Sequence, residues 1–556
     1  MLTKYKSYPT EQLTKLVDQL ENTLGEKRFC QEMAKIIVTA INPERAVPKS
    51  LDRFASLISE GLECFLSCLS GKRLKEAVHE LLYHYNDSEA GNLIFHLALH
   101  FPTLHKLCQI ICRRPDLDPD IKRWLVKLEQ GKYGTRLDHM IDKIKEELSC
   151  RSEIESITIL PEIKAEASVA CVIPFTWSGS SCGTSEKGVF KVLRPRIKEK
   201  LAEELQALAK TARFIEKSRN RFDLNKLQLT KIIDALSLDL RKETDLHEEQ
   251  KRLREAASAY AHEARVHIPA VFPFSSPHVT AMNYVEGRNI AEINVSEESR
   301  GDLADLVFKS IICTPLFWKG DQAIFHGDPH AGNIYVLDVN NPDRYDIALL
   351  DWTLAGHLSR AQRLQIMRLL VGVLKNNSLD IARVIELLTD DRLDKSPANI
   401  QMLRLEVEKL FSHPQWSSRD PLTRVFWLLE QAAMLGVSFP SELVLYRKAF
   451  FTVEGVLNDI SPRFSMALSL EEYLRDLLLE ELPYRSAAWF VTTADDASTY
   501  RSMLSNFDLQ SLILHGVLNN WEQLTELYIE MIGASLDLTK NYFSCLLGVR
   551  QDHTRK

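Results

Sequence analysis

The 10 cysteines of this chain include no CxxC pair, so a zinc ribbon or a thioredoxin-type redox centre has no spacing to rest on. No run of about 18 apolar residues occurs, so no membrane-spanning helix is expected. The first residues, MLTKYKSYPTEQLTKLVDQL, lack the continuous apolar core of a secretory leader. An excess of positive charge is missing too: the formal net charge is −7, and phosphate-backbone binding wants a basic surface, so nucleic acid is excluded as the main partner. Together these absences predict a cytoplasmic protein without a transmembrane segment, with peripheral membrane association left open. Two cysteine pairs at helical spacing, Cys64/Cys68 and Cys108/Cys112, read as small buried residues of a reduced protein rather than metal ligands. His96 and His100 share that spacing but lack the Glu of a zincin motif.

What is present is an ordinary globular composition, 45% hydrophobic and 26% charged, in a chain of 556 residues, long enough for several domains. Residues 1–100 read as helices, with Leu51, Phe54, Leu57, Ile58 and Leu62 on one stripe. Residues 101–130 read as a helix, a Pro-Asp turn and a second helix from about Asp118. Lys106 and Gln109 stand on one side of the first, where spacing alone makes them solvent-facing polar positions. After residue 150 the texture changes. Alternating runs around Ala167–Thr176 and Gly188–Leu193 flank the loop WSGSSCGTSEKG, the pattern of a hairpin. Its second strand sets Lys191 between Phe190 and Val192. Such a lysine resembles the kinase strand lysine that reaches the α and β phosphates, or else an edge-strand lysine that discourages aggregation.

A buried strand lysine needs a carboxylate to stay ionised. The charged helical segment KETDLHEEQKRLREA offers Glu243, Asp245, Glu248 and Glu249, and the pattern does not choose among them. Farther on, VTAMNYVEG resembles a strand and hinge whose backbone, at Met282 and Tyr284, pairs with an adenine. The stretch IFHGDPHAGNIY then carries His326, Asp328 and Asn333 at the spacing of a phosphoryl-transfer loop, in which the Asp orients or deprotonates the attacking hydroxyl and the Asn binds Mg²⁺. Residues 346–356, DIALLDWTLAG, follow as an apolar strand ending in Asp351, the second metal-binding carboxylate. Alone, a His-x-Asp is usually a turn and a terminal Asp merely ends a strand; in order, with a lysine strand upstream, they become specific. The remainder reads as amphipathic helix over 358–480 and as a terminal helical pair over 500–548, whose acidic polar face speaks against membrane binding.

The order and wording of these segments resemble the AarF/UbiB family of atypical, protein-kinase-like ATPases, over roughly Phe101 to Met466. HGDPHAGNI at 326–334 carries the resemblance best, since ordinary protein kinases place a Lys where this run has Pro-His. The segment around Lys106 and Gln109 is similar to the family's Lys-x-Gly-Gln helix, with Cys108 in the glycine's place. AEASVACV, including Ala167 and Ser168, is similar to the Ala-rich loop that replaces a Gly-rich loop over the phosphates. Glu243 and Asp245 fall on the family's Glu-x-Asp pair, Glu249 on the helix Glu that pairs with Lys191, and Asp351 on the metal-binding Asp, with Trp352 and Thr353 where Phe and Gly are usual.

The resemblance implies an α+β, two-lobed protein-kinase-like fold with helical extensions at both ends. Its divisions are 1–100 (helical extension), 101–150 (family-specific helical segment), 151–288 (small lobe), 289–485 (helical lobe) and 486–556 (C-terminal extension). It also implies ATP and Mg²⁺ bound between the lobes, with Lys191 on the α and β phosphates, Glu249 orienting Lys191, Asn333 and Asp351 on Mg²⁺, and Asp328 positioning the acceptor or water. The Lys106 helix lying across a peptide entry points to ATP hydrolysis or to a small-molecule or lipid-like acceptor, with a link to isoprenoid quinone metabolism. Two other readings are a nucleotide-binding pseudokinase scaffold and a small-molecule phosphotransferase. The latter is not expected to carry the Lys106 helix or the Glu243/Asp245 pair.

Overall fold

Alternation of apolar residues in 165–193 does produce strands. In a computed structural model the described residues are 10–43, 52–84, 90–112, 136–149, 151, 156–178, 185–217, 229–293, 295–337, 344–389, 397–488 and 494–514, with a few isolated positions after them. The chain divides into two compact units, the first made of residues 1–250 and 271–284, the second of 251–270 and 285–556. One is mixed sheet and helix and the other mainly helical, the α+β, two-lobed class expected from the sequence.

In the first unit, β1 (Ile157–Ile159), β3 (Ala170–Ser178), β4 (Ser185–Leu193) and β6 (Val279–Asn283) lie in that order, with β2 (Ala165–Glu166) also paired to β3. The pairings are antiparallel, and Lys191 stands opposite Val172 on one side and Thr280 on the other. β4 is therefore an internal strand, which removes the edge-lysine reading. One face of the sheet is sealed by aromatic rings: Phe175 stacks on Phe190 at 4.2 Å, with Phe272 and Phe274 edge-on to Phe175. The helix Leu137–Leu148 adds Met140 and Ile144 to this core. A second core joins the N-terminal helices to Ile197–Lys217 through Phe29, Phe65, Leu66 and Leu208. Of the stripe expected in 51–70, Leu57, Ile58 and Leu62 are only half-buried, and the deepest side chains are Phe65 and Leu66, one turn later. The side chains of Leu51 and Phe54, and the turn and second helix expected after Cys112, lie outside the described residues.

In the second unit, β5 (Val266–His267), β10 (Asp346–Leu349), β9 (Ile334–Leu337) and β7 (Gly287–Asn289) form one sheet, and β11 (Ala355–Ser359) pairs with β8 (Gln322–His326). Helices from Arg360–Leu374 to Met466–Ala488 follow, packed around Phe426, Tyr446 and Phe450. Of the terminal helical pair, Asn506–Leu514 is described and most of the rest lies outside the described residues. Among the described residues no helix is long and apolar enough to cross a membrane.

Candidate nucleotide and metal site

Two groups of polar side chains stand out, one in each unit. In the first, Lys191 Nζ lies 2.6 Å from Glu249 Oε1, and the two side chains are 13% and 2% exposed. The choice among four carboxylates is thereby made: Glu249 is the one turned inwards, because it sits in the first turn of Leu246–Ala259 on the buried face it shares with Leu246 and Gln250. Asp245 instead caps that helix, accepting from the Glu248 amide at 3.2 Å, which satisfies one of the donors a helix start leaves open. Glu243, at the end of Leu229–Glu243, forms an ion pair with Lys106 and accepts from the Ser168 hydroxyl at 3.3 Å. Lys106 is thus not a solvated position; burial beside a carboxylate, rather than helical spacing, sets its environment. Gln109 shares its helix, Pro102–Cys112, but its side chain is outside the described residues. Ala167 is exposed in the turn between β2 and β3, its amide bonded to the Ala170 carbonyl at 2.8 Å. Met282 lies opposite Val189 in β6, and the Tyr284 amide donates to the Lys187 carbonyl at 3.1 Å.

In the second unit, β9 and β10 form an antiparallel hairpin with Ile334 opposite Leu349. The register continues one residue outward, where the Leu350 amide donates to the Asn333 carbonyl at 2.9 Å. Asn333 and Asp351 therefore emerge at the same end of adjoining strands, as two ligands of one cation must. Asn333 Nδ2 donates to the Asp328 carbonyl at 3.1 Å, so the amide oxygen is the atom that a cation would take. Asp351 sits at φ 53°, a left-handed conformation uncommon in non-glycine residues, which Asp tolerates better than most and which its surroundings hold here. Those surroundings are clear: Trp352 is fully buried with its ring 4.9 Å from His326, and Thr353 donates both its amide (3.2 Å) and its hydroxyl (2.5 Å) to Asp351 Oδ1. Arg252 holds the Thr353 carbonyl. Trp352 and Thr353 thus fix the carboxylate where the usual glycine would leave its backbone free.

His326 organises the loop that leads to Asn333. Its Nδ1 accepts from the Asp328 amide at 3.2 Å, so its Nε2 is the donor to the Leu350 carbonyl at 2.8 Å. Accepting at Nδ1 requires the neutral ring, and burial lowers its pKa below the ordinary histidine value, which favours that state. Gly327 follows, with its amide 2.6 Å from the Leu354 carbonyl; a Cβ there would come within 2.7 Å of the same oxygen. Asp328, 17% exposed, has Lys448 Nζ 3.2 Å from Oδ1 and His330 Nε2 3.9 Å from Oδ2. Neither Lys448 nor Arg252 is singled out by the sequence pattern, although a lysine in the apolar run FPSELVLYRKAFF is a signal of the same kind as Lys191.

The donors fit magnesium. Asn333 and Asp351 offer oxygen atoms only, and among the described residues no three His, Cys, Asp or Glu side chains gather as a metal cage. Mg²⁺ is commonly held by one or two carboxylates plus substrate phosphates and water, rather than by a full protein cage. The cysteines are set for packing instead. Cys30, Cys171 and Cys313 are buried, and burial pushes their thiols up, Cys30 and Cys171 to about 11. Cys64, Cys68 and Cys108 are half-buried, less deep than their helical spacing suggests, and the side chain of Cys112 is outside the described residues.

Comparison with known proteins adds a domain match and a set of similar proteins. Residues 161–385 match the ABC1 atypical kinase-like domain. A probable protein kinase UbiB of Aliivibrio fischeri is 22% identical over 440 residues, covering 77% of this chain and 77% of that protein. One from Pseudomonas fluorescens is 26% identical over 398 residues, covering 68% of this chain and 70% of its own length. Among solved structures, the complex of Rv3197 with erythromycin from Mycobacterium tuberculosis is 19% identical and covers 69% of this chain and 94% of that one, at a TM-score of 0.38.

Proposed function

We propose that this chain, residues 161–385 of which match the ABC1 atypical kinase-like domain, is an atypical kinase or ATPase that binds Mg²⁺-ATP and transfers the γ-phosphoryl group to water or to a small or lipid-like acceptor. The observation that carries this is the buried Lys191–Glu249 pair on an internal strand. An ammonium that is 13% exposed and paired with a carboxylate stands in a low-dielectric setting, where a positive charge acts strongly on phosphate oxygens. Lys191 takes the α and β phosphates, and Glu249 fixes its direction. Ala167 and Ser168 cover the phosphates. Met282 and Tyr284 meet the adenine; the Tyr284 amide is committed to Lys187, so pairing at that residue falls to its carbonyl. Asn333 and Asp351 hold Mg²⁺, which when bound neutralises charge on the β and γ phosphates. Asp328 orients the attacking oxygen and accepts its proton as the bond from the γ phosphorus to ADP breaks. Lys106, with Glu243 and Asp245, closes the side through which a peptide would enter, which favours a small acceptor; isoprenoid quinone metabolism is the setting we propose, in the cytoplasm or at a membrane surface.

The test is Mg²⁺-dependent nucleotide binding by thermal shift in wild type, Lys191→Ala and Asp351→Asn. The variants should lose most of the shift; equal stabilisation in all three would sink the assignment. A second reading, a scaffold that binds nucleotide without turnover, is favoured by one feature: Thr353 already donates twice to Asp351 Oδ1, one of the oxygens a metal would use. Hydrolysis that vanishes in Asp328→Asn excludes it, whereas turnover appearing only in Thr353→Gly supports it.

A further inference from the structure

We propose that Lys448 is a catalytic residue: the cation that meets the transferred γ-phosphoryl group beside Asp328. This rests on the phosphoryl-transfer reading above and extends it. An ordinary protein kinase places a lysine within the loop that carries the catalytic Asp, and in this loop the Pro-His pair stands instead. A cation is nonetheless present. Lys448 Nζ lies 3.2 Å from Asp328 Oδ1, brought there by the helix Ser441–Ile460, far along the chain from the loop itself.

Its position is imposed by the fold. Residues three apart share one face of a helix, so Leu445 and Lys448 look the same way. Leu445 packs against Gly327, close enough that a Cβ on that glycine would come to 3.0 Å of it. Between them, Tyr446 is fully buried and donates to the Ile312 carbonyl at 2.7 Å, which fixes the rotation of the helix. Lys448 is thereby aimed at the residue after Gly327, which is Asp328.

The pair contributes little to stability, since Lys448 is 42% exposed and solvent screens such a contact. Its geometry suits chemistry better. The attacked phosphorus must lie about 3–3.5 Å from an oxygen that is itself hydrogen-bonded to Asp328. An ammonium on a flexible four-carbon stem, already touching that carboxylate, reaches the equatorial phosphoryl oxygens by a small swing. In the step, the attacking oxygen forms its bond to phosphorus and gives its proton to Asp328. The bridging P–O bond breaks, its electron pair leaving on ADP. Lys448 exchanges Asp328 for the phosphoryl oxygens as charge spreads over them.

ATP hydrolysis by the full chain is measured in wild type, Lys448→Ala and Lys448→Arg, with Mg²⁺-ATP thermal shift alongside. The expected result is a kcat lowered about 10²-fold in Lys448→Ala with KM and the ATP shift unchanged, and substantial recovery in Lys448→Arg. A structural role would move the melting temperature of the free protein and leave kcat alone. Should wild type bind Mg²⁺-ATP without turnover, the extra stabilisation by ADP–aluminium fluoride over ADP is read instead, and its loss in Lys448→Ala is required. Wild-type behaviour of Lys448→Ala in the assay so chosen overturns the proposal while leaving the kinase-like reading intact. Absence of any nucleotide effect in wild type overturns that reading, and this proposal with it.

Discussion

Replacing Lys191 by Met isolates the physics of the buried pair. The lysine side chain is 13% exposed and its partner Glu249 only 2%, so the substitution leaves a carboxylate in the core of the first unit without the ammonium beside it. Breaking a buried pair from one side costs about 3–5 kcal/mol, and the partial access of Lys191 puts this case near the lower figure. For a unit of this size about 3 kcal/mol lowers the melting temperature by roughly 6–12 °C. Glu249→Gln alone leaves an ammonium that retains some solvent, so it should cost less. The double variant removes both charges and should be clearly more stable than the sum of the singles implies, by about 1–2 kcal/mol. The assay is denaturant and thermal unfolding of all four proteins, repeated with saturating Mg²⁺-ATP. A ligand at about a hundred times its Kd adds about 2.7 kcal/mol, and Lys191→Met should lose most of that gain. Additivity of the two singles within about 0.5 kcal/mol would refute the claim that the pair acts as one buried unit.

Other substitutions probe the second unit and the acid limb of stability. Gly327→Ala forces a Cβ to within 2.7 Å of the Leu354 carbonyl, so it should destabilise by about 1–3 kcal/mol and cut turnover, as melting and hydrolysis assays would show. Thr353→Val removes the 2.5 Å bond that holds Asp351, and the apparent Mg²⁺ requirement for nucleotide binding should rise several-fold, while Thr353→Ser should restore it; equal Mg²⁺ titrations would count against the role. Asp351→Asn should abolish the part of the nucleotide shift that EDTA removes from wild type and lower the rate about 10²–10³-fold. His100 Nε2 is buried without a hydrogen-bond partner among the described residues, and burial, with Arg73 and Lys200 nearby, pushes its pKa down to about 3. The unfolded chain therefore takes up this proton first. The stability is full above pH about 6.5 and lost as pH falls towards 3, by up to about 1.4 kcal/mol per unit. His100→Gln should flatten that slope in unfolding curves at pH 7 and pH 5; identical slopes would contradict it.

Much of the candidate site was legible in the chain. Lys191 between two apolar residues, Asp328 five residues before Asn333, and Asp351 at the end of an apolar strand are local patterns, because each depends on a strand or turn that neighbouring residues dictate. The hairpin around 165–193 was legible for the same reason. Lys106 was not, since helical spacing alone puts it in solvent and only Glu243, 137 residues later, draws it inwards. The stripe at 51–70 was displaced by a turn because the partners of that helix, which decide which face is deepest, are distant in sequence.

By itself, then, the order of residues determined the chemical types and their spacing within each loop: a strand lysine, a His-x-Asp loop with its Asn, and a strand-end carboxylate. Tertiary structure alone decided which of four acidic residues meets Lys191, that Asp351 is locked in a left-handed turn by Trp352 and Thr353, and that Lys448 stands at Asp328. The physical reason is range. Backbone geometry propagates over a few residues, whereas charge pairing in a buried setting joins whichever groups packing brings within about 4 Å, however far apart they lie along the chain.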